Sequence, residues 1–235
     1  MSKFNQQQIL EKLGIKKLNA MQQEAMNTIP KSPNTVLLSP TGSGKTVAFL
    51  LPIIQQLDPN CDEIQAMVLV PSRELAIQIE QVMRKMGSGY KVNAVYGGRA
   101  GSKDKLELKH RPAVLIGTPG RVAAHLYKES FETKHIQTLV LDEFDKSLEV
   151  GFEVDMRDIL DELPNIEKRV LTSATFGVEI PQFLALIDPI TIDYLEKESS
   201  QLALNTVIAS DKTKLKTLVD TLCHIGNQPG IIFCN

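Results

Sequence analysis

The sequence predicts an α/β fold, a mostly parallel β-sheet with helices packed on both faces. Two patterns predict it. Short apolar runs recur along the chain with little polar alternation, as parallel strands buried on both faces require. Amphipathic stretches at helical spacing separate them, and such strand–helix alternation winds into one sheet through right-handed crossovers.

Strands are expected at residues 35–39, 66–70, 92–96, 113–117, 138–142 and 169–173. The first is followed by a helix over 47–57. A second helix covers 72–86, where Leu75, Ile79, Val82, Met83 and Met86 share one face. A third is expected over 178–187. Near 196–201 the composition changes to Glu-Lys-Glu-Ser-Ser-Gln, which suits a linker. Beyond it lie a strand-like 206–209, a helix-like 212–225 and a strand-like 231–234. Two strands and one helix are too few to enclose a core. The expected organisation is one domain over 1–195, then a linker and the truncated start of a second domain over 196–235.

Composition limits the possible roles. With 235 residues, 43% of them hydrophobic and 23% charged, the chain belongs with ordinary soluble globular proteins. Its longest apolar stretch, 47–54, is interrupted by Pro52 and is too short to span a bilayer. The first residues lack the apolar core of a signal peptide. Cys61, Cys223 and Cys234 are scattered, with no CxxC pair, which argues against a disulfide framework or zinc site and for a reducing, cytoplasmic home. Net charge is −2, from 26 basic and 28 acidic residues. Purely electrostatic clamping of nucleic acid calls for a basic protein. Any polynucleotide must therefore be held by a local patch and by backbone donors.

The first chemistry-bearing motif is Ser39-Pro40-Thr41-Gly42-Ser43-Gly44-Lys45-Thr46, between an apolar strand and a helix. Gly42 and Gly44 let backbone N–H groups converge on phosphate oxygens in front of a helix N-terminus. Lys45 reaches the β- and γ-phosphates, and the Thr46 hydroxyl can ligate Mg²⁺. A plain Gly/Ser turn would need neither the flanking strand and helix nor the Gly-Lys-Thr ending. The second motif, Leu139-Val140-Leu141-Asp142-Glu143-Phe144-Asp145, ends another buried strand. Beside a phosphate-binding loop, Asp142 is placed to hold Mg²⁺ and Glu143 to orient or deprotonate the attacking water. Together they describe an NTPase that hydrolyses its nucleotide.

Further motifs narrow the class. Gln22 closes the stretch 14–22; Pro71-Ser72-Arg73-Glu74-Leu75-Ala76 follows the second strand and Gly97-Gly98 the third. Thr118-Pro119-Gly120-Arg121 follows the fourth, and Ser173-Ala174-Thr175 ends the sixth. In this order and spacing the set resembles the DEAD-box ATP-dependent RNA helicases, from their Q motif through motifs I, Ia, GG, Ib, II and III. The final Ile231-Ile232-Phe233-Cys234-Asn235 resembles the start of motif IV. The resemblance covers essentially the whole chain, and its motifs are specific in combination rather than singly.

The resemblance implies a RecA-like P-loop NTPase domain that uses ATP and Mg²⁺ to drive local RNA duplex unwinding or RNP remodelling. It implies that Gln22 reads adenine and that Thr41, Gly42, Ser43, Gly44, Lys45 and Thr46 bind the phosphates. Lys45, Asp142 and Glu143 would be catalytic, with Thr46 and Asp142 holding Mg²⁺. Asp145, Ser173 and Thr175 would couple hydrolysis to strand separation. Pro71, Arg73, Gly97, Gly98, Thr118, Pro119 and Arg121 would form a sequence-independent RNA-backbone surface. For Arg73 taken alone, a surface salt bridge with Glu74 is the plainer expectation. Motif II reads Asp-Glu-Phe-Asp where the family usually has Ala third, and Phe144 is expected to repack the region around Ser173. The Q motif has Leu18-Asn19-Ala20 in place of the family's prolines.

Partners implied are RNA and a second RecA-like domain, with no membrane and a monomeric chain. The arginines that stabilise the transferring phosphate belong to that second domain, so this chain alone is expected to bind nucleotide and be nearly inactive. The alternatives are a DNA-directed superfamily 2 helicase or translocase and a non-catalytic nucleotide-dependent scaffold.

Overall fold

A computed structural model describes residues 4–99, 101–175, 177, 179–195, 205–227 and 229–233. Within them the chain forms two compact units, Met1–Glu198 and Ser199–Asn235.

The first unit opens with α1 (Gln6–Leu13) and α2 (Ala20–Thr28), then β1 (Asn34–Leu38), α3 (Lys45–Gln56), β2 (Ala66–Leu69) and α4 (Arg73–Met86). There follow β3 (Val92–Val95), α5 (Gly101–Leu108), β4 (Val114–Gly117), α6 (Pro119–Tyr127) and β5 (Thr138–Leu141). The unit closes with α7 (Phe144–Glu149), α8 (Glu153–Asp161), β6 (Lys168–Ser173), a 3₁₀ turn (Gln182–Leu184) and β7 (Ile190–Asp193). The strands form one seven-stranded sheet in the order β3-β4-β2-β5-β6-β1-β7. Every pairing is parallel.

Strand pleating explains the apolar runs. Leu37, Val68, Val140 and Val170 enter one buried cluster, whereas Val36, Met67, Leu69, Leu139, Leu141 and Leu171 enter another. Neighbours along each strand point to opposite faces. The first layer holds residues of α1 to α4, the second residues of α6 to α8, and the sheet lies between them. Helix α3 has Val47 through Ile54 buried all round, which suits a helix enclosed by protein. Helix α4 is amphipathic, with Ala76, Ile79, Met83 and Met86 buried. Ser72 caps it by accepting from Leu75 N–H, and Gly87 ends it in the left-handed region at φ 56°.

All six expected strands are present. In this unit one expectation is corrected and one strand is added. No α-helix occupies the described part of 178–187, where only the 3₁₀ turn Gln182–Leu184 forms. Pro181 has no N–H and disfavours helical geometry at Ile180 before it, while Ala185 leaves at φ 49°. The edge strand β7 was not expected. Only Ile192 of its four residues is buried, so its composition lacks the double-faced apolar pattern.

In the second unit, helix α9 (Lys214–Ile225) lies within the expected helical stretch, and none of its residues is buried. The described residues of 206–209 and 231–233 form no strand, correcting that expectation; Cys234 and the linker 196–201 lie outside the described residues.

Candidate active site

Parallel strands deliver all their C-terminal ends to one edge of the sheet, and loops leaving that edge form sites. Here β6 separates β5 from β1. The loop after β1 carries the Gly-Lys-Thr motif and the end of β5 carries Asp142, so β6 is the wall between them.

The phosphate-binding loop runs from Ser39 to Gly44, and α3 starts at Lys45. Its base is tied to β6 by a hydrogen bond from Ser39 N–H to Ser173 C=O, 3.1 Å. Gly42 and Gly44 sit at φ 82° and 91°, a region closed to most side chains. At Gly44 an added Cβ would also fall 2.5 Å from Gln22 Nε2. The buried Lys45 ammonium donates to Ser39 C=O at 2.6 Å and Pro40 C=O at 2.9 Å. Ser43 Oγ is buried without a hydrogen-bond partner.

Gln22 reaches this loop from α2. It belongs to a capping box with Asn19: each side chain accepts a hydrogen bond from the other's backbone N–H. Gln22 Nε2 then donates to Gly44 C=O at 3.3 Å, and Asn19 Nδ2 to Ser43 C=O at 3.0 Å. Helix α2 is thus buttressed against the loop by two amides, of which sequence reasoning named only one. The signal for Asn19 was its spacing of three residues from Gln22 ahead of a helix.

Asp142 follows β5 and is 3% exposed. Burial pushes its carboxyl up to about 6, against the opposing pull of a Thr172 hydrogen bond and the Lys45 ammonium, while the Glu143 charge adds to the rise. Thr172 Oγ1 donates to Asp142 Oδ1 and accepts from Glu143 N–H at 3.2 Å. Glu143 itself has φ 51°, uncommon for a residue with a side chain. Further on, Thr175 Oγ1 donates to Asp145 Oδ2 at 2.8 Å, and Ser173 Oγ accepts from Thr175 N–H at 2.9 Å. Asp145 Oδ1 is buried without a partner. Phe144 is buried in the second layer, in the same cluster as Leu171 and Leu184.

The donors are hard oxygens, as Mg²⁺ prefers, and it is commonly held by one or two carboxylates together with substrate phosphates. Among the described residues no group of three or more His, Cys, Asp or Glu could form a metal cage. A desolvated carboxylate near a lysine, with an orphaned serine hydroxyl in the loop, fits a phosphate–Mg²⁺ ligand.

Further along the edge, the residues expected to meet a nucleic-acid backbone occupy the loops and helix starts after β2, β3 and β4. Arg73 is exposed and its Nε donates to Glu74 at 2.5 Å, the plainer of its two expected roles. Gly98 sits at φ 82° in open space apart from Arg73 Nη1, 3.7 Å from an added Cβ. Thr118 is the N-cap and Pro119 the first residue of α6, and Pro71 precedes the N-cap of α4. Arg121 is turned inward. Its Nε donates to Asp104 Oδ2 at 2.8 Å, and its Nη2 to Arg99 C=O at 2.9 Å. Asp104 is 0% exposed, and also lies 3.3 Å from Arg99 Nε and 3.2 Å from His125 Nε2. Nothing in the local sequence marks Asp104, because its partners lie in other elements.

An all-parallel sheet whose central strands carry a phosphate-binding loop and an Asp-Glu pair defines a RecA-like P-loop domain. The sequence model of the DEAD/DEAH box helicases matches residues 19–183. The chain belongs to the DEAD/DEAH box helicase family. It is 35% identical over 195 residues to "ATP-dependent RNA helicase CshA" of Limosilactobacillus reuteri, covering 80% of this chain and 39% of that one. To "ATP-dependent RNA helicase eIF4A" of Aspergillus oryzae it is 32% identical, covering 94% of this chain and 54% of the relative. A DEAD box protein from the hyperthermophile Methanococcus jannaschii superposes with a TM-score of 0.70 at 29% identity, covering 79% of this chain and 52% of that chain. This chain thus spans about two-fifths to just over half the length of these proteins. Among the described residues, no helix is long and apolar enough to cross a membrane.

Proposed function

We propose that this chain is the nucleotide-binding part of an ATP-dependent RNA helicase, which binds ATP·Mg²⁺ and couples its hydrolysis to local RNA unwinding or RNP remodelling. The single observation behind it is that the Gly-Lys-Thr loop after β1 and Asp142 at the end of β5 leave one sheet edge with only β6 between them, so that the Lys45 charge acts on the buried Asp142 carboxyl. The names of the relatives support the choice of ATP and RNA.

In this assignment residues 41–46 hold the phosphates, and Lys45 exchanges its two carbonyl partners for β- and γ-phosphate oxygens. Thr46 and Asp142 hold Mg²⁺, which when bound neutralises charge developing on the phosphate oxygens. Glu143 orients the attacking water and accepts its proton. Gln22 reads the adenine edge; an amide offers both a donor and an acceptor. Its Nε2 carries a second hydrogen beyond the one given to Gly44. Asp145, Ser173 and Thr175 form the link by which the state of the nucleotide reaches the RNA. Arg73, Gly97 and Gly98 offer charge and backbone donors to RNA phosphates regardless of sequence, while Pro71, Thr118 and Pro119 shape the same surface. Arg121 serves that surface from beneath, bound to Asp104.

Residues 1–195 form the ATP-binding domain and 196–235 the linker and start of a second RecA-like domain. The chain works as a monomer in the cytoplasm and binds nucleotide with almost no turnover on its own. Arginine fingers contributed in trans are worth about 10³–10⁵ in rate.

Calorimetric binding of ADP and of GDP, each with Mg²⁺, to the chain and to Gln22→Ala tests this. Tighter binding of ADP than of GDP, weakened by the substitution, is expected. Equal binding of the two, indifferent to Gln22, would move the chain to another NTPase class.

A further inference from the structure

Thr172 lies outside every motif the sequence suggested, yet its hydroxyl joins the two acidic residues of the site. The residue is 0% exposed, on the central strand β6. Across one neighbour, β5 and β6 run in register with Leu141 opposite Leu171, which brings the next pair, Asp142 and Thr172, together. Across the other, Thr172 pairs with Leu37 of β1, just ahead of the phosphate-binding loop.

With Asp142 ionised, the direction of both hydrogen bonds is forced. Glu143 N–H is a donor only, so Thr172 Oγ1 accepts from it at 3.2 Å. A hydroxyl carries one proton, and that proton goes to Asp142 Oδ1. One buried atom therefore sets the rotamer of the Asp142 carboxylate and supports Glu143 in its left-handed backbone, φ 51°. Metal-ligating carboxylates depend on such outer partners for orientation.

We propose that Thr172 is a positioning residue for the nucleotide-bound Mg²⁺ ion, holding Asp142 and Glu143 in the arrangement that receives it. This rests on the assignment of Asp142 as a magnesium ligand. Valine is the isostere that removes only the hydroxyl, and serine keeps the hydroxyl while removing the methyl.

The test is ADP binding to the 235-residue chain, measured by calorimetry in EDTA and across a Mg²⁺ titration, for wild type, Thr172→Val, Thr172→Ser and Thr172→Cys. The Val variant is expected to raise the Mg²⁺ concentration for half-maximal effect by about 10–100-fold, the usual cost of losing an outer-sphere partner. Its ADP affinity in EDTA stays within about twofold of wild type, since the hydroxyl touches no phosphate-loop group. The Ser variant follows wild type. The Cys variant, with a weak thiol donor, falls between them and carries the test if Val does not fold.

A Val or Cys midpoint equal to wild type overturns the proposal. So does a parallel loss of affinity with and without Mg²⁺, which marks a purely structural role. Wild type that binds no ADP under either condition overturns the nucleotide assignment itself, a different failure from an unmoved Thr172 variant.

Discussion

Thr175 Oγ1 donates a hydrogen bond of 2.8 Å to Asp145 Oδ2, joining the turn after β6 to the first turn of α7 after β5. Asp145 is buried and its other oxygen has no hydrogen-bond partner, so the Thr175 hydroxyl supplies the side-chain hydrogen bond that this carboxyl group receives. Thr175→Val should destabilise the chain by about 1–3 kcal/mol, the cost of leaving a buried polar group unpaired. ADP affinity should be unchanged. Urea unfolding and calorimetry on the same variant check both, and a variant as stable as wild type would show the bond to be idle.

Lys45 ties its own loop together through the carbonyls of Ser39 and Pro40. Lys45→Ala should weaken ADP binding by about 100-fold, equivalent to losing one or two hydrogen bonds to a charged group. Equilibrium dialysis with labelled ADP would detect it. Retention of wild-type affinity would remove Lys45 from the phosphate site.

The Asp142 carboxyl titrates at about 6 in the fold against 3.8 ordinarily, so the folded chain holds this proton more tightly than the unfolded one. Stability therefore falls as pH rises from about 4 to about 6, and above that the whole cost remains. The difference corresponds to at most about 3 kcal/mol. Asp142→Asn keeps an acceptor for Thr172 and removes the charge. In EDTA it should stabilise the chain near pH 7.5 and change little below about pH 3.5, as read from unfolding midpoints. Destabilisation near pH 7.5 would mean that Lys45 and Thr172 more than offset the burial.

Asp104 gathers Arg99, Arg121 and His125 around one buried carboxylate. Asp104→Asn should cost about 3 kcal/mol of stability, typical for a buried charge network that loses one partner. It should also weaken binding of a single-stranded oligouridylate in a filter assay, because Arg99 and Arg121 link the loop after β3 to the start of α6. ADP binding should be untouched. Equal loss of ADP and oligonucleotide binding would indicate general unfolding instead.

Much of this architecture is legible in the residues because of how central strands are built. Val36 and Leu37 serve opposite layers, as do Val140 and Leu141, so each inner strand announces itself as an unbroken apolar run. β7 sits at the sheet edge with exposed Ile190 and Thr191 and gives no such pattern. Over 178–187 the apolar spacing suggested a helix, but backbone chemistry at Pro181 outweighs periodicity. The loop at 39–46 and the acids at 142–143 were visible because contiguous residues carry their chemistry. Thr172, Asn19 and Asp104 were not singled out. Their roles depend on which strand or loop lies alongside, a fact about register and tertiary contact rather than neighbours in sequence.

The position of β6 between β5 and β1 has a consequence for how the molecule assembles. Side chains alternate along a strand, so a one-residue slip of β6 would carry Thr172 to the opposite face. Asp142 would lose its hydroxyl, Glu143 its acceptor, and Ser39 its carbonyl partner on Ser173, all in one displacement. A misregistered sheet is thus penalised at a buried carboxylate. Alignment of the strands and assembly of the candidate site are thereby tied to the same register.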